Sequence, residues 1–92
     1  MGIKVTSDAP SPEKRAEIVL KAAWRYCAVG HDPKLSMHLC DDLGFDDLDR
    51  IEFVMEIEDE LRIDIDDETV EKFATLQDVL DEVNRIMVVS NP

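Results

Sequence analysis

Apolar residues recur at steps of three and four in separate stretches of the chain, which is the spacing of one face of an α-helix. The first helix is predicted to start at Ser11-Pro12-Glu13, where serine, proline and glutamate favour a helix N-terminus, and to end at Gly30. The second is predicted from Asp46 or Asp47 to about Leu61, and the last from about Leu76 to Met87. A short helix from Asp67 to Phe73 is predicted between them.

The predicted inward faces of these helices supply the core. They consist of Ala16, Val19, Leu20, Ala23, Tyr26 and Cys27 in the first helix; Leu48, Ile51, Val54, Met55 and Ile57 in the second; Val70 and Phe73 in the short helix; and Leu76, Val79, Leu80, Val83, Ile86 and Met87 in the last. Trp24 is expected at the edge of this core. The bases of the first helix are expected largely off its apolar face: Lys14, Arg15, Lys21 and Arg25.

The connection over residues 31–46 is long for a small domain, and such connections are often functional. Its apolar residues Leu35, Met37, Leu39 and Leu43 are expected to hold it against the core, with Gly44 as a flexible joint. No stretch alternates apolar and polar residues as a strand would. The sequence therefore predicts an all-α four-helix bundle, with three main helices, one short third helix and a long first loop. The domain spans residues 11–88, after a flexible N-terminal arm over residues 1–10.

Charge narrows the possible partners. The 92 residues carry a net charge of −12. Residues 1–34 hold six bases and four acids, a net +2, and residues 35–92 hold four bases and eighteen acids, a net −14. Such an acidic surface repels phosphate backbones and anionic lipid, so we expect the protein to bind neither nucleic acid nor a membrane surface. We expect its partners to be basic proteins, and we expect the protein itself to be a monomer.

Other function classes find little support. No apolar run approaches the roughly 20 residues of a membrane-spanning helix. Cys27 and Cys40, with His31 and His38, form no recognisable metal-ligand set, and the two cysteines are interpreted as small apolar residues in or near the core of a reduced, cytoplasmic protein. No phosphate-binding glycine loop or hydrolase motif is present, so the sequence does not predict an enzyme or a metal site.

The second helix carries acids on a face of its own. Asp49, Glu52, Glu56, Asp59 and Glu60 follow mostly steps of three and four, with few bases nearby. One interpretation is a solvated face that keeps the protein soluble. The other is a docking stripe for a basic partner, where complementary charge raises the association rate.

Residues 41–55, DDLGFDDLDRIEFVM, resemble the acyl carrier protein family, whose pattern there reads roughly E-D-L-G-x-D-S-L-D-x-V-E-L-V-M. The resemblance covers about residues 35–87 closely and the first helix more loosely. It implies a four-helix bundle with a long first loop and a short third helix. In the family, the serine of Asp-Ser-Leu carries a phosphopantetheine arm, whose thiol holds an acyl chain. Here the corresponding residue is Asp47.

Asp47 has no hydroxyl with which to form the phosphodiester, and it adds a negative charge where a phosphate would lie. The resemblance therefore implies an atypical member, with no cofactor expected unless the natural residue at position 47 is serine. It would act as a binding module that docks on basic surfaces of biosynthetic or regulatory proteins of lipid or polyketide metabolism. The expected docking residues are Asp46, Asp47, Asp49, Glu52, Glu56 and Asp59. The alternative is a genuine acyl carrier protein of fatty-acid or polyketide biosynthesis whose serine has been replaced by engineering.

Two further possibilities stay open. Ser36 in the long loop, or Cys40, which aligns with an apolar position near the core, is an alternative attachment point in place of the missing serine. A second possibility is that the bundle accepts a free acyl chain without covalent attachment, although an ordinary packed core is the favoured interpretation. The lining residues that the resemblance implies are Leu48, Met55, Ile57, Ile65, Val70 and Phe73.

Overall fold

Four helices make up the fold. The structure is a computed structural model that describes residues 10–27 and 32–90. Helix α1 spans Pro12–Tyr26, α2 Asp47–Leu61, α3 Asp67–Lys72 and α4 Leu76–Ser90. Within these described ranges there is no β-strand, only an isolated bridge between His38 and Thr75. The predicted all-α bundle, with its short third helix and long first loop, is confirmed.

Helix α1 begins where the sequence predicts and ends earlier. The hydroxyl of Ser11 accepts a hydrogen bond of 3.2 Å from the Lys14 amide, and Pro12 occupies the first helical position. Cys27 has an extended backbone, with ψ at 129°, and this conformation ends the helix at Tyr26. The predicted end at Gly30 is therefore wrong, and Gly30 itself lies outside the described residues. So does most of the predicted N-terminal arm, residues 1–9.

One core joins the helices and the long loop. Helix α1 packs against both α2 and α4, and α2 also contacts α3. Burial of apolar side chains between these elements is the main stabilising contribution. The largest side chains that are fully buried are Phe53, Leu39, Leu43, Ile57, Leu76, Val19, Val79 and Val83. Because Leu39 and Leu43 belong to the loop, the loop is part of the core.

Two residues of α1 lie where the sequence does not predict them. Arg15 is only 9% exposed, and its guanidinium donates to Asn84 Oδ1 at 2.6 Å and to the Pro10 carbonyl at 2.7 Å. These bonds allow the charged group to lie between α1 and α4, and they fix the two helices to each other. Trp24 is 63% exposed rather than at the core edge.

Candidate functional site

The start of α2 is built by a reciprocal pair of hydrogen bonds. The Asp46 carboxylate accepts from the Asp49 amide at 2.8 Å, and the Asp49 carboxylate accepts from the Asp46 amide at 3.2 Å. This capping box satisfies amides that the first turn of a helix leaves without partners. Asp47 is the first residue of the helix and is exposed. Its carboxylate therefore lies at the positive end of the helix dipole, in contact with solvent.

The chain immediately before α2 is held by a tight turn and an aromatic pair. Gly44 has a φ of 76°, a left-handed conformation that favours glycine. The Phe45 amide donates to the Leu39 carbonyl at 2.9 Å, and the Phe45 side chain is almost fully buried. Its ring meets that of Phe53 edge to face, with centroids 5.3 Å apart. Phe45 thus connects the loop to the buried face of α2 and fixes where Asp46 and Asp47 emerge.

The loop is also fixed at the start of α4. The Leu39 amide donates to the Ala74 carbonyl at 2.8 Å, and the Leu76 amide donates to the Met37 carbonyl at 3.1 Å. The Asp78 carboxylate accepts from the amides of Ala74 and Thr75, and these bonds hold the pKa of Asp78 below its ordinary value of 3.8. An ionised Asp78 therefore stabilises the segment on which the loop rests.

His38 organises the inside of the loop. Its Nδ1 accepts hydrogen bonds of 3.2 Å from the amides of both Cys40 and Asp41. Its own amide donates to the Asp42 carboxylate at 2.7 Å. The Asp41 carboxylate lies 3.9 Å from the same Nδ1. These hydrogen bonds close the turn over residues 38–42 around the His38 side chain.

The six acids expected to dock lie along α2, and they differ in whether their carboxylates are already bound to other groups of the protein. Asp47, Glu52 and Asp59 are exposed, whereas Asp46 and Asp49 are committed to the capping box. Glu56 is bound to α1, with its carboxylate 3.3 Å from both Arg25 Nε and the Tyr26 hydroxyl. Burial and the nearby carboxylates, Glu56 first, raise the pKa of the Tyr26 hydroxyl. Asp47, Glu52 and Asp59 are therefore the acids of α2 that are most available to contact a partner.

The outward face of α2 also carries apolar side chains that the sequence reading places inside. Leu48, Ile51 and Met55 are 60%, 50% and 54% exposed. The prediction that these three face the core is wrong, because Phe53, Val54, Ile57 and Leu61 occupy the buried face instead. Residues 48, 51 and 55 share a helix face with Glu52 and Asp59. An apolar row with acids beside it is thus the chief feature that sequence reasoning missed.

The exposure of Leu48 and Met55 also affects the six residues expected to line a site for an acyl chain. Ile57, Ile65, Val70 and Phe73 are buried together in the core. Leu48 and Met55 lie on the surface and do not join them. The structure therefore brings together four of the six residues.

The other candidates for chemistry are placed as follows. Ser36 and Cys40 are both exposed on the long loop, so the expectation that Cys40 lies near the core is wrong. Across residues 10–27 and 32–90, no group of three or more His, Cys, Asp or Glu side chains is arranged to hold a metal ion. Over the same residues, no helix combines the length and the apolar character needed to cross a bilayer.

Comparison with known proteins decides the family. The family model described as the phosphopantetheine attachment site matches residues 25–83, which is more than half of the chain. The chain belongs to this family. An acyl carrier protein from Phaeodactylum tricornutum is 43% identical over 60 residues, which cover 62% of this chain and 79% of that protein. A solved structure from Mycobacterium tuberculosis, assigned as an acyl carrier protein, is 28% identical with a TM-score of 0.71, covering 76% of this chain and 95% of that one.

The resemblance seen in residues 41–55 is thereby confirmed at the level of the family, whose members are carriers rather than catalysts. The family's description implies an attached phosphopantetheine group, and the resemblance in residues 41–55 implies a serine hydroxyl as its point of attachment. Asp47, the first residue of α2, has a carboxylate at the N-terminal end of the helix and no hydroxyl. Asp47 therefore does not fit covalent attachment of the group as a phosphodiester.

Proposed function

We propose that this phosphopantetheine-attachment-site family member acts as a docking module, and that Asp47 occupies the position of the family's attachment serine. The observation that carries the proposal is the chemistry at the start of α2. There the helix start is intact, with its capping box and its exposed first residue, but that residue is an aspartate. The helix start on which the family attaches its phosphopantetheine group is present, but the hydroxyl needed for attachment is replaced by a carboxylate.

The proposed docking surface combines charge with apolar contact. Asp47, Glu52 and Asp59 supply free carboxylates, while Leu48 and Met55 supply apolar area on the same helix. Carboxylates steer a basic partner into place and select it against acidic ones. Burial of apolar surface is the dominant favourable contribution to most protein–protein association. We therefore infer partners with a basic rim around an apolar pocket, among biosynthetic or regulatory proteins of lipid or polyketide metabolism.

Capture from the native host tests this surface. Tagged wild-type chain is compared with Glu52→Lys/Asp59→Lys, and bound proteins are quantified by mass spectrometry. These two acids are chosen over Glu56 because Glu56 also holds α1 through Arg25 and Tyr26. The matched control is Asp64→Lys/Glu71→Lys, which changes two other exposed acids by the same charge.

The proposal expects the α2 variant to lose its specific partners and the control variant to keep them. Equal capture by wild type and by the α2 variant would remove the acidic stripe from the account. A third variant, Leu48→Ser/Met55→Ser, measures the apolar part of the surface, and it too is expected to lose partners.

The alternative function, a genuine carrier whose serine was replaced by engineering, has a separate test. Asp47→Ser is incubated with a phosphopantetheinyl transferase and coenzyme A. Gain of one phosphopantetheine would mean that the surface read by the transferase is preserved. The genomic sequence at codon 47 then decides between a natural and an engineered aspartate.

We also propose a cytoplasmic location, and we retain non-covalent binding of an acyl chain as a second proposal. A cytoplasmic location rests on the sequence reading of Cys27 and Cys40. Non-covalent binding of an acyl chain would require the core around Ile57, Ile65, Val70 and Phe73 to open, since all four are buried against one another. Native mass spectrometry of the protein from its host, with or without a co-purified lipid, addresses the acyl chain.

A further inference from the structure

The carboxylate of Asp47 takes no part in the cap of α2. The amides at this helix start are satisfied by Asp46 and Asp49, whose carboxylates accept hydrogen bonds of 2.8 Å and 3.2 Å from each other's amides. Asp47 is the first residue of the helix and is exposed, and among residues 10–27 and 32–90 no hydrogen bond or ion pair engages its carboxylate. Its charge is therefore available to a partner.

The one base of α2 does not neutralise Asp47. Arg50 lies three residues further along the helix, a spacing at which opposite charges commonly pair. Its guanidinium instead reaches α3, where Nη1 donates to the Glu71 carbonyl at 3.4 Å, and its Nε is buried. No ion pair joins Arg50 to Asp47 within the described part of the chain. The helix start therefore keeps a surface negative charge that Arg50 does not offset.

The helix dipole favours negative charge in a first turn, and this alone can explain an acid at a helix start. Asp67 is exposed at the same position of α3 and fits that explanation equally well. Asp47 differs because the next residue, Leu48, is 60% exposed and places apolar surface beside the charge, whereas Asp67 is followed by the exposed acid Glu68. A partner that covers Leu48 removes water from around the Asp47 carboxylate, and a charge pair is stronger where water is excluded.

We propose that the Asp47 carboxylate takes the place of the cofactor's phosphate in recognition, so that this chain competes with phosphopantetheine-loaded carriers for a basic subsite on their partners. The inference rests on the proposed function and names the partner's chemistry, a lysine or arginine side chain that contacts the phosphate of a loaded carrier. A phosphodiester and a carboxylate each carry one negative charge at neutral pH, so both complement that subsite. Because Asp47 bears no thiol arm, a partner held by this chain receives no acyl group.

Capture from the native host at increasing concentrations of immobilised chain tests the charge at position 47. The proteins followed are those that wild type binds and Glu52→Lys/Asp59→Lys does not. Asp47→Asn keeps the shape of the side chain and removes its charge, so it should raise their apparent Kd roughly threefold to tenfold. The matched control is Asp67→Asn, which makes the same change at the same position of another helix and should stay within about twofold of wild type. Circular dichroism establishes that each variant keeps its helices.

Displacement tests whether the subsite is the one that binds the phosphate. Proteins held on immobilised wild-type chain are eluted with a typical acyl carrier protein of the same host in three forms: loaded with phosphopantetheine, unloaded, and unloaded with its attachment serine replaced by aspartate. The loaded form and the aspartate form should elute the proteins at concentrations roughly threefold to tenfold lower than the unloaded serine form. Because the aspartate form has no arm, its advantage over the serine form measures the charge alone.

The outcomes separate this inference from the docking function on which it rests. Proteins lost in Glu52→Lys/Asp59→Lys but bound unchanged by Asp47→Asn would overturn the inference and leave the docking function standing. Equal losses in Asp47→Asn and Asp67→Asn, or no difference in elution among the three carrier forms, would also overturn the inference. If wild type and Glu52→Lys/Asp59→Lys capture the same proteins, both the inference and the docking function fail.

Discussion

Replacing Arg15 by methionine is expected to lower the free energy of unfolding by about 2 kcal/mol. Methionine keeps an unbranched apolar stem against α4 and removes the guanidinium. Arg15 is 9% exposed, and its guanidinium donates to Asn84 Oδ1 at 2.6 Å and to the Pro10 carbonyl at 2.7 Å. A hydrogen bond to a charged group contributes about 1.5–3 kcal/mol. We count only the bond to Asn84, because Pro10 is half-exposed and water can replace the guanidinium there.

Urea unfolding followed by circular dichroism measures this loss. In thermal unfolding, about 2 kcal/mol in a domain of this size corresponds to a midpoint lower by roughly 8–16 °C. Asn84→Ala and the double variant complete a cycle, in which the coupling between the two residues should be about 1–2 kcal/mol.

Lys21→Met is the matched control, since it removes one positive charge from an exposed position of the same helix. It should change stability by less than about 0.5 kcal/mol. If Arg15→Met falls within this same margin, or if the cycle gives no coupling, the buried hydrogen bonds do not hold α1 to α4 and the reasoning fails.

Three further changes probe how the loop and α2 are held. Gly44→Ala should destabilise by about 1 kcal/mol, because alanine at a φ of 76° pays a steric cost; an unchanged urea midpoint would mean that the turn is not required. Asp46→Ala should cost about 1 kcal/mol by removing the helix cap, and loss of α2 amide protection in hydrogen exchange locates the effect. Asp78→Asn should be destabilising at about pH 7, and progressively less so as the pH falls below 3.8. The folded pKa of Asp78 lies below 3.8, so its stabilisation is present above that value and is lost as the pH falls through the folded pKa; a difference that does not depend on pH would contradict this.

Local signals in the sequence were sufficient to predict where the helices start, but not where all of them end. Ser11-Pro12-Glu13 and Asp46 mark helix starts because their side chains or rings act within one turn, and the structure places the starts of α1 and α2 there. The steps of three and four in the last helix face one way, and Val79 and Val83 are fully buried as expected. The loop residues Leu39 and Leu43 are buried as well.

What the sequence could not predict depends on distant partners. The burial of Arg15 relies on Asn84, 69 residues away along the chain. Helix α2 carries apolar residues around most of its circumference, so periodicity alone does not decide whether Leu48 or Phe53 faces the core. The structure resolves this because Phe53 packs on Phe45 of the loop, which leaves Leu48 outside.

The central claim is that this chain carries no phosphopantetheine, because the start of α2 has no hydroxyl to attach it. The intact mass of the protein tests this claim most directly. The wild-type chain is co-expressed with a phosphopantetheinyl transferase, and a typical acyl carrier protein in the same cells is the positive control. The account predicts the unmodified mass for this chain and the modified mass for the control. Covalently bound phosphopantetheine on the wild-type chain, whether at Ser36, Cys40 or any other residue, would contradict it.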